Sequence, residues 1–240
     1  MRIEKNRDLL RDFFVSSERM IKENGQVLVT LCNGQGGTPM DKPRRRWDDS
    51  WKIVEMAAHG NFILTKVESF LWQSFQNYIV TGYRSLDKQF HTADSLTHIF
   101  AKGKPPTMHN IAPNNKINAF TYTVDNIKWK DITNNIQDNS VYDIKCIYPC
   151  IFTFDITLST DRNFNTAEFY QSLYNYAGSI IENVNLIDCY LSPVTDKIKR
   201  TYRIDYKSNH IPLYRRRVIE LHQNIIATFI EDEFKIIVSR

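Results

Sequence analysis

The chain has 240 residues, 42% of them apolar and 12% aromatic, with eight glycines. This composition excludes a disordered or fibrous protein, and the length suits two domains of about 100 residues, each able to bury a core of its own. The formal charge of +4 at pH 7 is modest, so its distribution says more about partners than its sum. No apolar run approaches the roughly 18 residues of a membrane span, and the opening MRIEKNRDLLRD lacks the apolar core of a signal peptide. The sequence therefore predicts an intracellular protein with no membrane partner. Cys32, Cys146, Cys150 and Cys189 are scattered, and the spacing of Cys146 and Cys150 is not that of a zinc knuckle or redox pair, which predicts reduced thiols.

In chain order, Leu10, Phe13, Phe14, Ser17 and Ile21 make a helical stripe that Asn24-Gly25 ends. QVLVTLC follows as a continuous apolar strand of the kind buried in parallel sheets. CNGQGGTP is not a phosphate loop by its context, because Gly36-Gly37 run into TPMDKPRRRW rather than into a helix; a flexible basic loop is expected there, with Lys42, Arg44, Arg45 and Arg46 as a small cluster. A helix is predicted to open at DDS, with Asp48-Asp49 as its caps, and to carry Val54 and Ala57. FILTKV is a strand, and strand-like text recurs at 78–82 and 97–102. Helix and strand alternate, so this part reads as α/β, but the chain starts on a helix where an open nucleotide-binding sheet starts on a strand and a glycine-rich turn.

From Gly103 to about Tyr142 the text turns rich in asparagine and proline, a connector with one candidate strand at 119–124. Beyond it, Phe152, Phe154, Ile156 and Leu158 alternate with polar residues as a strand, and Asn165 caps a helix carrying Phe169, Leu173 and Tyr176 that Gly178 closes. Strands at 183–191 and 200–207 flank a turn at Pro193, a helix starts at Pro212 with Val218, Leu221, Ile225 and Phe229 on one face, and 235–238 is a last strand. The order βαββαβ is that of a ferredoxin-like sandwich, a four-stranded antiparallel sheet with both helices on one side. Between Lys199 and Arg217 seven bases stand against the single acid Asp205, and Arg215, Arg216 and Arg217 fall in the first turns of a helix, where the dipole disfavours cations. A solvated face is the plain reading of such a run; a phosphate site is the functional one, since a helix start presents free N–H groups and arginine adds bidentate contacts.

YRIDYKS, which opens the eleven residues from Tyr202 through Pro212, then a long helix and a strand ending in Arg240, resembles the ferredoxin-fold anticodon-binding domain at the C-terminus of phenylalanyl-tRNA synthetases, over about residues 147–240. It departs from that family at His210 and Ile211, where an Asp-Arg pair is usual, and at Arg215, Arg216 and Arg217, where the helix usually opens with acids. NRDLLRDFFVSSERMIKENGQVLVTLC, then Trp47 to Trp51, then TGYRSLDKQFH resemble the second half of the Rossmann-like domain of the 25S rRNA uridine-N3 methyltransferase family, over about residues 6–102. The two together resemble the layout of the ferredoxin-fold anticodon-binding domain-containing proteins.

The resemblance implies α/β plus α+β: a partial Rossmann-like methyltransferase-type domain at 1–102, an Asn/Pro-rich linker at 103–145 and a ferredoxin-fold anticodon-binding domain at 146–240. It implies a structured RNA, tRNA-like or ribosomal, as partner, and cytoplasm or nucleolus as compartment. The expected RNA-binding residues are Arg200, Arg203, Lys207, Arg215, Arg216 and Arg217, with Tyr83 and Arg84 from the family's strand-end GYR. S-adenosylmethionine is implied only for full-length relatives, and no cofactor is expected in this chain. The six histidines lack metal-ligand spacing, with His91 and His98 read as a loop pair, and no catalytic constellation is found. Three readings stay open: an RNA-binding module that is inactive as an enzyme on its own; a methyltransferase whose cofactor half lies upstream of Met1; and an adaptor whose arginines meet an acidic protein, or whose incomplete α/β half pairs with a partner or a second copy.

Overall fold

The structure is a computed structural model that describes residues 2–80, 90–117, 127–134, 144–193 and 195–239. The described residues form two compact units, the first from 1–105, 143–149 and 209–214 and the second from 106–142, 150–208 and 215–240. The expected strand at 119–124 lies outside the described residues, and residues 78–80 carry no strand.

The first unit contains α1 (Arg2–Met20), β1 (Gln26–Leu31), α2 (Ile53–His59), β2 (Phe62–Ser69) and β3 (Leu96–Lys102). Its sheet has the order β1-β3-β2, and both pairings are antiparallel, which corrects the parallel arrangement expected of QVLVTLC. Burial explains the misreading. β1 is an edge strand with Leu28 exposed, whereas β3 in the middle is buried almost throughout. Phe100 of β3 stands between Val27 and Leu64 and packs edge-on against Phe14 of α1, ring centres 4.8 Å apart. Burying such a ring fully contributes about 2–3 kcal/mol. α1 comes close enough to the end of α2 that a Cβ on Gly60 would lie 2.3 Å from the Phe14 carbonyl oxygen, so only glycine fits there.

The second unit contains α3 (Met108–Ile111), α4 (Trp129–Thr133), β4 (Phe152–Thr160), α5 (Thr166–Ala177), β5 (Ile181–Leu191), β6 (Ile198–Tyr206), α6 (Arg215–Glu220), a π-helical stretch (Leu221–Ile226), α7 (Ala227–Phe234) and β7 (Ile237–Ser239). The sheet order is β5-β6-β4-β7 with every neighbour antiparallel. With two antiparallel sheets and segregated helices the described protein is α+β. Asn165 caps α5 as read, accepting from the N–H groups of Ala167 and Glu168. Ile156, Leu158, Phe169, Leu173, Tyr202 and Ile204 are buried together in the core, and Tyr176 of α5 stacks on Phe229 of α7 at 3.8 Å.

The Asn/Pro-rich segment supplies part of this unit. The Ile117 N–H donates to the Asn175 side-chain oxygen at 2.7 Å, and Asn175 and Gln171 donate back to the Ile117 carbonyl at 2.9 and 3.1 Å. Trp129 and Ile132 of α4 are buried, with Trp129 against Tyr170 and Tyr174 of α5.

Candidate nucleic-acid interface

β6 presents alternate residues to opposite sides of its sheet, which sorts the bases that the sequence groups together. Tyr202, Ile204 and Tyr206 are buried, so Arg203 stands on the opposite face, where it meets the Asp155 carboxylate with two hydrogen bonds of 2.8 Å. That guanidinium holds the Asp155 carboxyl below the usual carboxylate range. The same face continues as polar cross-strand pairs, Thr153 donating to Asp205 at 2.7 Å and Thr157 meeting Thr201 at 2.9 Å. Lys207, just past the strand, pairs with Glu182 at 2.7 Å. Arg200 lies at the other end of β6, on Thr160 Oγ1 and 5.3 Å above the Phe164 ring. Seven residues of extended chain separate Arg200 from Lys207, about 23 Å, so the strand bases do not gather in one corner.

The helix start is the denser cluster. α6 begins at Arg215 rather than at Pro212, because Ile211, Pro212 and Leu213 are buried before the chain turns helical. The arginines thus occupy the first three helical positions, with no acid in the first turn. The Arg215 guanidinium sits 5.2 Å above the Phe154 ring, and Arg216, 83% exposed along its side chain, reaches Glu220 one turn on at 3.2 Å. Beneath them Tyr206 Oη meets His222 Nδ1 at 2.9 Å, and His222 Nε2 meets the Asp155 carbonyl at 3.3 Å. The imidazole joins the π-helical stretch to β4 and β6, which fixes the helix that carries the arginines. Tyr83 and Arg84 lie outside the described residues.

In the first unit the loop after β1 is held by hydrogen bonds, where the sequence reading expected flexibility. The buried Asp41 carboxylate accepts from the Gly34 and Thr38 N–H groups at 2.8 and 2.7 Å and from the Thr38 hydroxyl at 3.2 Å, while Asn33 takes the Lys42 N–H at 2.6 Å. Asp41 was the missed signal, an acid seven residues after a glycine whose amide needs an acceptor. The helix read as opening at DDS begins later: residues Trp47–Asp49 form one 3-10 turn, Asp48 pairs with Lys52 at 2.8 Å instead of capping, and α2 starts at Ile53. Arg7 of α1 clamps this turn by donating to the Ser50 and Asp48 carbonyls. Lys42, Arg44, Arg45, Arg46 and Trp47 beyond Asp41 are exposed.

His98 is on β3, not in a loop, and is completely buried. Its Nδ1 lies 3.3 Å from the Val29 carbonyl, its Nε2 has no hydrogen-bond partner among the described residues, and burial lowers its pKa. None of the four cysteines is in a disulfide, and among the described residues no group of three or more His, Cys, Asp or Glu side chains is placed to hold a metal ion. No helix among them is long and apolar enough to cross a membrane.

Comparison with known proteins supports both resemblances. A family model described as BMT5-like, rRNA (uridine-N3-)-methyltransferase BTM5-like, matches residues 1–82. Over 103 residues, 43% of this chain, the sequence is 50% identical to human ferredoxin-fold anticodon-binding domain-containing protein 1, of which that stretch is 16%, and equally to its mouse homolog, of which it is 17%. It is 30% identical over 78 residues, 32% of this chain, to 16% of the rat mitochondrial phenylalanine–tRNA ligase. The chain therefore spans about a sixth of the length of the curated relatives it matches.

Proposed function

We propose that this chain is an RNA-binding protein whose second unit is a ferredoxin-like sandwich of the anticodon-binding type and holds an RNA backbone at the start of its last helix. The β5-β6-β4-β7 order, antiparallel throughout, supports the sandwich reading, because a βαββαβ chain with both crossovers on one side arrives at that order. The observation that carries the RNA reading is the placement of Arg215, Arg216 and Arg217 on the first three positions of a helix, where they oppose the dipole and yet stand at the end of the helix that draws anions. Arg200, Arg203 and Lys207 extend the basic surface along β6. Arg203 and Lys207 already hold carboxylates, so they serve the sheet first and an RNA second. Recognition is by backbone charge and shape, for a tRNA-like or ribosomal RNA, without base readout.

The first unit we read as methyltransferase-like in sequence, with a glycine loop that holds no cofactor. The likeness of its residues 1–82 to the family model implies S-adenosylmethionine in longer relatives. The glycine loop does not fit the role of a nucleotide cradle: the Gly34 and Thr38 amides already donate to Asp41, and the side of Gly36 that a ligand group would approach faces His98 Nε2, 2.7 Å from where a Cβ would sit.

A filter-binding titration of the full chain against a tRNA at several salt concentrations tests the RNA reading. Changing Arg215, Arg216 and Arg217 to Gln should flatten the slope of log affinity against log salt by about two units, at roughly 0.7–0.9 per phosphate contact. Identical slopes from a correctly folded variant overturn the proposal and leave the acidic-partner reading in its place.

A further inference from the structure

The loop of the first unit carries a charge pattern that the arginine helix does not. Lys42, Arg44, Arg45 and Arg46 are exposed, and none of them makes an ion pair within 4 Å among the described residues. Of the nearby acids, Asp41 is buried on loop amides and Asp48 is paired with Lys52 while also feeling the Arg46 charge; Asp49 is exposed and makes no ion pair within 4 Å among the described residues. Next to the cations stands Trp47, 36% exposed, with the Lys52 ammonium 5.7 Å from its ring centre.

The backbone under these side chains is fixed. Asp41 and Asn33 hold the loop from inside, Arg7 clamps Asp48 and Ser50, and the Gln35 and Gly36 carbonyls accept from Trp51 and Ile53. Gly34 and Gly37 both have φ near +80°. A Cβ on Gly34 would lie 3.2 Å from the Arg45 guanidinium, and one on Gly37 would lie 2.2 Å from Ser50 Oγ and 3.5 Å from the Trp47 ring. The glycines therefore let Arg45 and Trp47 lie against the loop, in set positions.

We propose that residues 42–47 form a second RNA surface, in which Lys42, Arg44, Arg45 and Arg46 hold phosphates of a single-stranded segment and Trp47 stacks one base. The inference rests on reading the chain as RNA-binding and adds a site on the first unit. Unpaired cations beside an exposed indole match the chemistry of a single strand, which offers regularly spaced anions and unstacked π-faces together. An acidic peptide offers the charge without the stacking surface. A loop already ordered loses less entropy on binding than a free one, so the contacts are realised more fully as affinity.

The test uses the full chain, a short fluorescent oligouridylate and anisotropy titrations at several salt concentrations, with unfolding midpoints confirming that each variant is folded. The triple change Arg44→Gln, Arg45→Gln, Arg46→Gln should flatten the salt slope by about two units, at roughly 0.7 per contact on a single strand. Trp47→Ala should weaken binding roughly tenfold and leave the slope unchanged, since stacking releases no counterions. If both loop variants bind as wild type while the Arg215, Arg216, Arg217 variant does not, this inference falls and the helix site stands. If the loop variants lose binding and the helix variant keeps it, the loop stands and the helix site falls. No binding by the wild type to either RNA removes both, and binding of polyglutamate lost in the loop variants, with none to RNA, assigns the loop to a protein partner and overturns the inference.

Discussion

Replacing Trp129 tests whether a segment that reads as connector is part of a folded unit. Trp129 is 2% exposed, with its ring centre 5.8 Å from Tyr170 and 6.2 Å from Tyr174, so truncation to alanine empties a large volume against two aromatic neighbours. Such a change costs about 3–5 kcal/mol in lost burial and cavity formation. One term opposes it. The indole Nε1–H is buried without an acceptor among the described residues, and removing an unsatisfied donor returns about 1–3 kcal/mol. The difference leaves Trp129→Ala less stable by about 2 kcal/mol, a fall in midpoint temperature of about 4–8 °C for a chain of this size. Trp129→Phe keeps most of the ring and deletes the stranded donor, so it should equal or exceed the wild type. Urea unfolding followed by far-UV circular dichroism reads both, provided the transitions of the two units are fitted separately. A Trp129→Ala protein within about 0.5 kcal/mol of wild type refutes the reasoning, because a side chain that packs nothing has no burial to lose.

Two further outcomes follow from the first unit. Burial lowers the pKa of His98 below its unfolded value near 6.5, with the facing Asp41 carboxylate and the Val29 carbonyl opposing that shift. The unfolded chain therefore binds the proton more readily, stability is fully present above about pH 6.5 and falls as the pH drops below it, and His98→Gln should remove that part of the pH dependence in urea titrations at pH 7.5 and 5.5. Titration calorimetry of the purified chain with S-adenosylmethionine should give no heat of binding, since the loop amides that face inward are held by Asp41; micromolar affinity contradicts the reading of this chain as lacking a cofactor site.

What could be read in the sequence was local. Asn165 and the Phe169, Leu173, Tyr176 stripe predict α5 because cap and period lie within a few residues of each other, and the alternation of Tyr202, Ile204 and Tyr206 marks the buried side of β6. What escaped depends on contacts far along the chain. An apolar strand announces burial but not its neighbour, so β1 was expected in a parallel sheet and instead pairs antiparallel with β3, whose residues come about 70 later in the chain. Pro212 suits a helix start, yet the helix waits until Arg215, because the backbone before it is committed elsewhere: the Asn209 carbonyl accepts from Cys146, and Tyr214 stacks on His59 at 3.8 Å. The candidate site divides the same way. Sequence placed Arg215, Arg216 and Arg217 on a helix start, but not the carboxylates that face Arg203 and Lys207.

Those carboxylates change how the basic stretch acts. Of the seven bases from Lys199 to Arg217, Arg203, Lys207 and Arg216 each hold an acid within 3.2 Å. A phosphate reaching Arg203 must compete with Asp155 for a bidentate partner already in place, and the exchange of one anion for another releases little. Arg44 and Arg45 have no such competitor among the described residues, so each phosphate they take is a net gain of one charge-assisted contact. The count of cations in the sequence favours the second unit, but three of its seven already hold carboxylates, whereas Lys42, Arg44, Arg45 and Arg46 hold none within 4 Å among the described residues. Salt dependence separates the two quantities, because a phosphate that takes an arginine from a carboxylate releases its own counterion but leaves the freed carboxylate to gather a cation in turn, so only the uncommitted cations contribute the full slope.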